Sequence, residues 1–123
     1  MEEKIVNAEI TGTKLGYEDH GIFTFTIDLK LSNPVAYISI GGYALDGYDT
    51  KLERTTFCAE GLEAIASILK VVGVDNWEDL KGKYIRVKSR GWGGTIDEIG
   101  NLMEDNWFNL KNYFAEVANK YKR

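Results

Sequence analysis

Apolar and polar residues alternate most regularly between positions 23 and 31. Phe23, Phe25, Ile27, Leu29 and Leu31 are separated by Thr24, Thr26, Asp28 and Lys30. Successive strand side chains point to opposite faces, so this spacing predicts a strand with one buried and one wet face, as in antiparallel sheets. A preceding strand is expected over Ile5–Leu15, with Val6, Ala8 and Ile10 on one face, and a turn follows at Gly16–Gly21. Ser32-Asn33-Pro34, with the only proline, ends the second strand, and Val35–Ile40 reads as a third. The first forty residues therefore predict an antiparallel meander.

At Gly41–Asp49 the period is lost, and a loop with three glycines and two tyrosines is expected at a sheet edge or ligand-facing wall. Helical spacing takes over at Ala59–Val72. Leu62, Ile65, Ala66, Leu69 and Val72 form an apolar stripe, and Gly73 supplies a C-terminal cap. A capped turn at Asn76–Leu80 leads into a strand over 83–90, and Thr95–Leu102 reads as a fifth strand hairpinned to it. Leu110, Tyr113, Phe114, Val117 and Tyr121 place a stripe on a C-terminal helix. The class is α+β: an antiparallel sheet of about five strands, one packed central helix and a C-terminal helix. A chain of 123 residues without repeats or a linker forms one domain, residues 1–123.

Composition narrows the function. Hydrophobic residues make up 44% and aromatic residues 12%, enough for a real core. The net charge of −4 and pI near 5.0 argue against generic nucleic-acid binding, which needs many cations to release phosphate counterions. No apolar run approaches the roughly 18–20 residues of a membrane span, and Met1-Glu2-Glu3-Lys4 is no signal-peptide start. A single cysteine precludes an internal disulfide and fits a reducing cytoplasm. With one histidine and one cysteine, a zinc site is not expected; no metal or cofactor is anticipated. Cys58 reads as a small residue at the helix start, and His20 as a turn residue. Carboxylate pairs such as Glu18-Asp19, Glu78-Asp79 and Glu104-Asp105 read as solvated turns, and no phosphate loop or nucleophile elbow is present. The expectation is a binder and not an enzyme.

Binding chemistry concentrates in W-E-D-L-K-G-K-Y-I-R-V-K-S-R-G-W-G-G, residues 77–94. Ile85 and Val87 fall on one strand face, and Arg86, Lys88 and Arg90 on the other, ahead of a glycine-rich bend holding Trp92. Three cations beside an indole suit a phosphate and a stacked base. The alternative is a solvated face paired with acidic neighbours such as Asp97 and Glu98. Arg54, Thr55 and Thr56 precede the central helix, whose N-terminus suits an anion, with simple capping by Thr56 as the plainer reading. Asn101, Asn106 and Asn109 surround Trp107 and Phe108, polar groups beside an apolar wall. The candidate ligand-binding set is Arg54, Thr55, Thr56, Arg86, Arg90, Trp92, Asn101 and Trp107.

Four segments carry a family resemblance: L-G-Y-E-D-H-G-I-F-T (15–24), G-G-Y-A-L-D (41–46), the run from G-L-E-A-I-A-S-I-L-K to Y-I-R-V-K (61–88), and E-I-G-N-L-M-E-D-N-W-F (98–108). Over roughly residues 5–116 the chain resembles a family of small phage and prophage proteins, in particular the first type of phage Thoeris anti-defence protein. The resemblance implies a non-enzymatic homo-oligomer in the host bacterial cytoplasm. It would sequester a cyclic ADP-ribose isomer, a small-molecule cyclic nucleotide signal, and so block activation of the Thoeris effector. A pocket near a subunit interface is expected, without a membrane partner. Two other readings stand beside it: a single-stranded nucleic-acid-binding β-barrel-like protein, and an inhibitor that binds a host protein.

Overall fold

A computed structural model describes residues 4–18, 21–32, 35–89 and 96–120. The chain runs β1 (Lys4–Tyr17), β2 (Phe23–Ser32), β3 (Val35–Gly41), β4 (Asp46–Asp49), β5 (Arg54–Phe57), α1 (Ala59–Val72), a single 3₁₀ turn (Trp77–Asp79), β6 (Tyr84–Ser89), β7 (Glu98–Gly100), β8 (Trp107–Asn109) and α2 (Leu110–Lys120). The class is α+β. Six strands form one sheet in the order β3-β2-β1-β6-β7-β8, with β4 and β5 in a separate two-stranded sheet. Every pairing within both sheets is antiparallel.

Burial follows the strand alternation. Phe25, Ile27, Leu29 and Leu31 of β2 join Ala8 and Ile10 of β1, Ile85 and Val87 of β6, and Ile99 of β7 in one core. Ala64, Ile68 and Val71 of α1 and Leu110 and Phe114 of α2 close it. Both helices therefore cover the same face of the six-stranded sheet. The opposite face carries Tyr84, Arg86, Lys88, Glu98 and Trp107, none of them in that core. A register shift between Ile10 and Gly12 keeps the long β1 in phase with β2: Ile10 pairs with Leu29 before it and Thr13 with Ile27 after it.

Several expectations need correction. The central helix has the predicted bounds and its Gly73 cap, at φ 90° with N–H to Leu69 O, but its buried stripe is rotated. Gly61, Ala64, Ile68 and Val71 face inward, whereas Leu62 is 77% exposed and Ala66 is exposed. Gly61 sets this rotation: a Cβ there would lie 3.2 Å from Leu45 Cδ2 and 3.3 Å from Cys58 Sγ. The helix turns Gly61 toward this close neighbour. The glycine-rich loop contains β4, paired with β5 from Asp46↔Phe57 to Asp49↔Arg54. Asp49 Oδ1 accepts from Lys51 N (2.8 Å) and Leu52 N (3.0 Å) to close this hairpin. The strand expected over Thr95–Leu102 pairs at Glu98–Gly100, and β8 adds a sixth strand absent from the sequence reading. Thr24, expected on the wet face, is 2% exposed and donates to Tyr43 O at 2.6 Å.

The two helices meet through Tyr113, whose hydroxyl donates to Glu63 Oε1 (2.6 Å) and contacts Glu60 O (3.2 Å). Burial, reinforced by the Glu63 carboxylate, raises the Tyr113 pKa above the usual tyrosine range. A phenol harder to ionise folded than unfolded contributes stability that is complete below about pH 10 and lost as pH rises beyond it. Urea unfolding at pH 8 and pH 11 is expected to show a steeper alkaline loss in wild type than in Tyr113→Phe. Equal losses would show that Tyr113 titrates alike in both states.

Candidate functional site

Strand register assembles the site on the face away from the helices. Arg86 of β6 lies opposite Asn7 of β1 and Gly100 of β7, and Gly100 lies opposite Trp107 of β8. One row, Asn7–Arg86–Gly100–Trp107, thus crosses four strands. Gly100 makes room for the indole: a Cβ there would fall 2.5 Å from Trp107 Cε3. A ring resting on the sheet backbone offers its other face to cations. Arg86 Cζ lies 4.9 Å and Lys88 Nζ 4.8 Å from the ring centroid, within cation–π range. Trp107 Nε1 donates to Asp105 Oδ1 at 2.9 Å, which fixes the ring's orientation.

A network around the β7–β8 connection holds these groups. Arg86 Nε donates to Asn101 O and its Nη2 to Glu104 O, both at 2.8 Å. Two of five guanidinium donors are thereby engaged. Asn101 Nδ2 donates to Val71 O (2.8 Å), while its Oδ1 accepts from Met103 N and Glu104 N, each at 2.9 Å. Lys88 pairs with Glu98 at 3.2 Å, as the plainer reading of the cationic stripe anticipated. The second acidic neighbour, Asp97, faces Lys111 at 4.0 Å. The arrangement offers an oriented, partly engaged arginine and a lysine above an indole. It can hold an anion.

Of the eight predicted residues, Arg86, Asn101 and Trp107 come together. Arg90 and Trp92 lie outside the described residues, as do His20 and Tyr121. Arg54, Thr55 and Thr56 form β5 and belong to a different region. Arg54 Nη1 contacts Thr55 O at 3.4 Å, and Thr56 Oγ1 contacts Gly47 O at 3.5 Å. The N-cap of α1 is Cys58, with no side-chain cap bond, so capping by Thr56 is overturned. Pairing with β4 draws the threonines into a strand before the helix begins. These residues precede the first turn of α1, whereas Asn101 grips Val71 in its last. At 1.5 Å per residue the helix separates the two groups by roughly 20 Å. Asn109 serves α2, accepting from Asn112 N at 2.9 Å.

Sequence reasoning missed Gly100 and placed Lys88 only within the stripe. Gly100 carries no signal of its own, because its role is to lack a side chain where a residue seven positions later needs space. Among the described residues no group of three or more His, Cys, Asp or Glu side chains is placed to hold a metal ion, and no helix is long and apolar enough to cross a membrane. No protein-family model matches this chain, nor does any curated protein or solved structure.

Proposed function

We propose that this chain binds and sequesters a cyclic ADP-ribose-type signalling nucleotide without turning it over, and so prevents activation of a Thoeris effector. One observation carries the reading: Arg86 and Lys88 converge over the Trp107 indole on a sheet face that neither helix covers. A pyrophosphate needs cations held in place, and Asn101 and Glu104 carbonyls already orient the guanidinium. The outer plane of that guanidinium suits stacking with an adenine, and its Nη1 hydrogen-bonds no protein group among the described residues. The resemblance set out above supplies the ligand class, the homo-oligomer, the pocket near a subunit interface and the phage setting in a bacterial cytoplasm.

The test is thermal denaturation against cyclic ADP-ribose isomers, cyclic di- and trinucleotides, linear ADP-ribose, NAD and short single-stranded DNA. Ligand at a hundred times its dissociation constant adds about 2.7 kcal/mol, a shift of several degrees in a domain of this size. A shift with a cyclic ADP-ribose isomer alone is expected. Arg86→Ala is expected to weaken that binding by about 2 kcal/mol, the scale of a lost charged hydrogen-bond partner, with Arg54→Ala unchanged. Loss in Arg54→Ala alone would move the pocket to the β4–β5 hairpin. A flat panel would overturn the sponge reading and direct the search to a host protein partner.

A single-stranded nucleic acid is the second reading, favoured by one feature of the same face. Tyr84 is 52% exposed in the row beside Arg86, and Tyr37 is 73% exposed further across the sheet. Stacking aromatics interleaved with cations suit consecutive bases. This reading requires DNA to shift the melting point and the affinity to fall steeply with salt.

A further inference from the structure

Among the described residues the six-stranded sheet ends on one long strand, β3, with no strand beyond it, and the composition of β3 shows what that edge fits. The carbonyls of Phe23 and Phe25 receive Leu45 N (2.8 Å) and Gly42 N (2.7 Å) from the β3 side. Asp28 O instead receives the Thr11 hydroxyl from the β1 side, at 3.3 Å. Odd-numbered residues of β2 therefore turn their backbone groups toward β3. Through the pairs Ile27↔Ile40, Leu29↔Ile38 and Leu31↔Ala36, the same groups of Ala36, Ile38 and Ile40 face inward. Those of Val35, Tyr37 and Ser39 face away from the sheet, and no described strand lies beyond them. The side chains of Val35 (62% exposed) and Tyr37 lie beside them.

Edge strands are ordinarily blunted by charge, by shortness or by a covering element. Val35–Gly41 has seven residues and no charge, so the charges that make up the chain's net −4 are carried by other segments. We infer that β3 is the surface on which a second copy of this chain docks, strand against antiparallel strand about a two-fold axis. Centring that axis on Ile38 overlaps all seven residues and sets Tyr37 of one copy opposite Ser39 of the other, so the outward backbone groups meet. It also closes the contact on itself, as a two-fold interface requires. The flanking charges agree. Tyr37 pairs with Lys30 and Ser39 with Asp28 across β2–β3, so each row through the join runs from a lysine in one copy to an aspartate in the other. Two sheets become one of twelve strands. This interface lies at the end of the sheet away from β6, β7 and β8, so it is separate from any subunit contact beside the proposed nucleotide site and does not depend on nucleotide binding.

The full chain is tested by sedimentation velocity from about 1 to 100 μM, with amide hydrogen exchange at both ends of that range. Wild type is expected to reach twice 13.9 kDa, and the Tyr37 and Ser39 amides to gain at least tenfold protection with concentration, while Ile38 and Ile40 stay protected throughout. Tyr37→Lys, which places a charge on the join, and Ser39→Pro, which removes an outward N–H together with the Ser39 hydroxyl's 2.6 Å bond to Asp28 Oδ1, are each expected to raise the dimer dissociation constant at least tenfold. Ser39→Ala, which loses the hydroxyl alone, is expected to dimerise as wild type does. Circular dichroism checks that all three fold. A monomer at 100 μM overturns the inference. So does a dimer whose Tyr37 and Ser39 amides stay unprotected, since it must use another surface, and that exchange result holds even if a variant fails to fold.

Discussion

Phe25→Ala is expected to destabilise the protein by about 3–5 kcal/mol, the range for removing a large aromatic side chain from a packed core. At a few degrees per kcal/mol for a chain of this size, that is a fall of roughly 10–20 °C in Tm. Phe25 is fully buried, and its ring lies 6.1 Å from Trp77 and 6.2 Å from Phe114, so it joins the 3₁₀ turn and α2 to β2. Close backbone packing beside it limits collapse into the space. A Cβ on Gly41, at φ +104°, would lie 2.5 Å from Phe25 O. Phe25→Leu keeps most of the volume and is expected to lose much less. A fall of under about 1 kcal/mol for Phe25→Ala, measured by urea unfolding, would show that α2 repacks over the gap.

Gly100→Ala produces the other large effect, and it acts on the site as well as on stability. The added methyl would sit 2.5–2.6 Å from three indole carbons of Trp107, closer than non-bonded carbons approach. The ring must lift off the sheet, which forfeits its contacts with Arg86 and Lys88 and its Nε1 bond to Asp105. Overpacking of this kind costs about 1–3 kcal/mol. Removing the indole tests the cause: in a Trp107→Ala background the same glycine substitution is expected to cost nearly nothing, so the two changes are strongly non-additive. Additive costs would mean that the alanine harms the strand and not the ring. Under the proposed function, Gly100→Ala also weakens nucleotide binding, because Arg86 loses the surface on which it rests.

The two substitutions divide along what the sequence shows. Phe25 declares itself, since a five-fold alternation with Thr24, Thr26, Asp28 and Lys30 has only one physical reading. Gly100 does not. Its neighbour Trp107 is brought in by an extra strand of three residues, too short for any period to register, and β8 exists because β7 offers it an edge. The β4–β5 hairpin escaped for a similar reason. Asp-Gly-Tyr-Asp and Arg-Thr-Thr-Phe have no buried face of their own, and Asp49 closes the hairpin with its side-chain carboxylate, which accepts from two backbone N–H groups, rather than by burial. On α1 the ends were legible from the apolar run and Gly73, while the buried side was not. Two stripes one position apart share the helical period, and the choice fell to Gly61, whose close contact with Leu45 is a property of the packed molecule.

Local chemistry, then, determined the strands of the first forty residues, the span of the central helix and the outward direction of Arg86 and Lys88, because each depends only on the two- and 3.6-residue periods of neighbouring side chains. Tertiary structure decided the rest. It placed Arg54, Thr55 and Thr56 at the far end of α1 from Asn101 and spent Asn101 on the backbone of Val71 and Glu104. It also set Trp107 over Gly100 beneath two cations. These arrangements depend on strand order and register, which join residues 86, 100 and 107 across the sheet and which no single stretch of sequence contains.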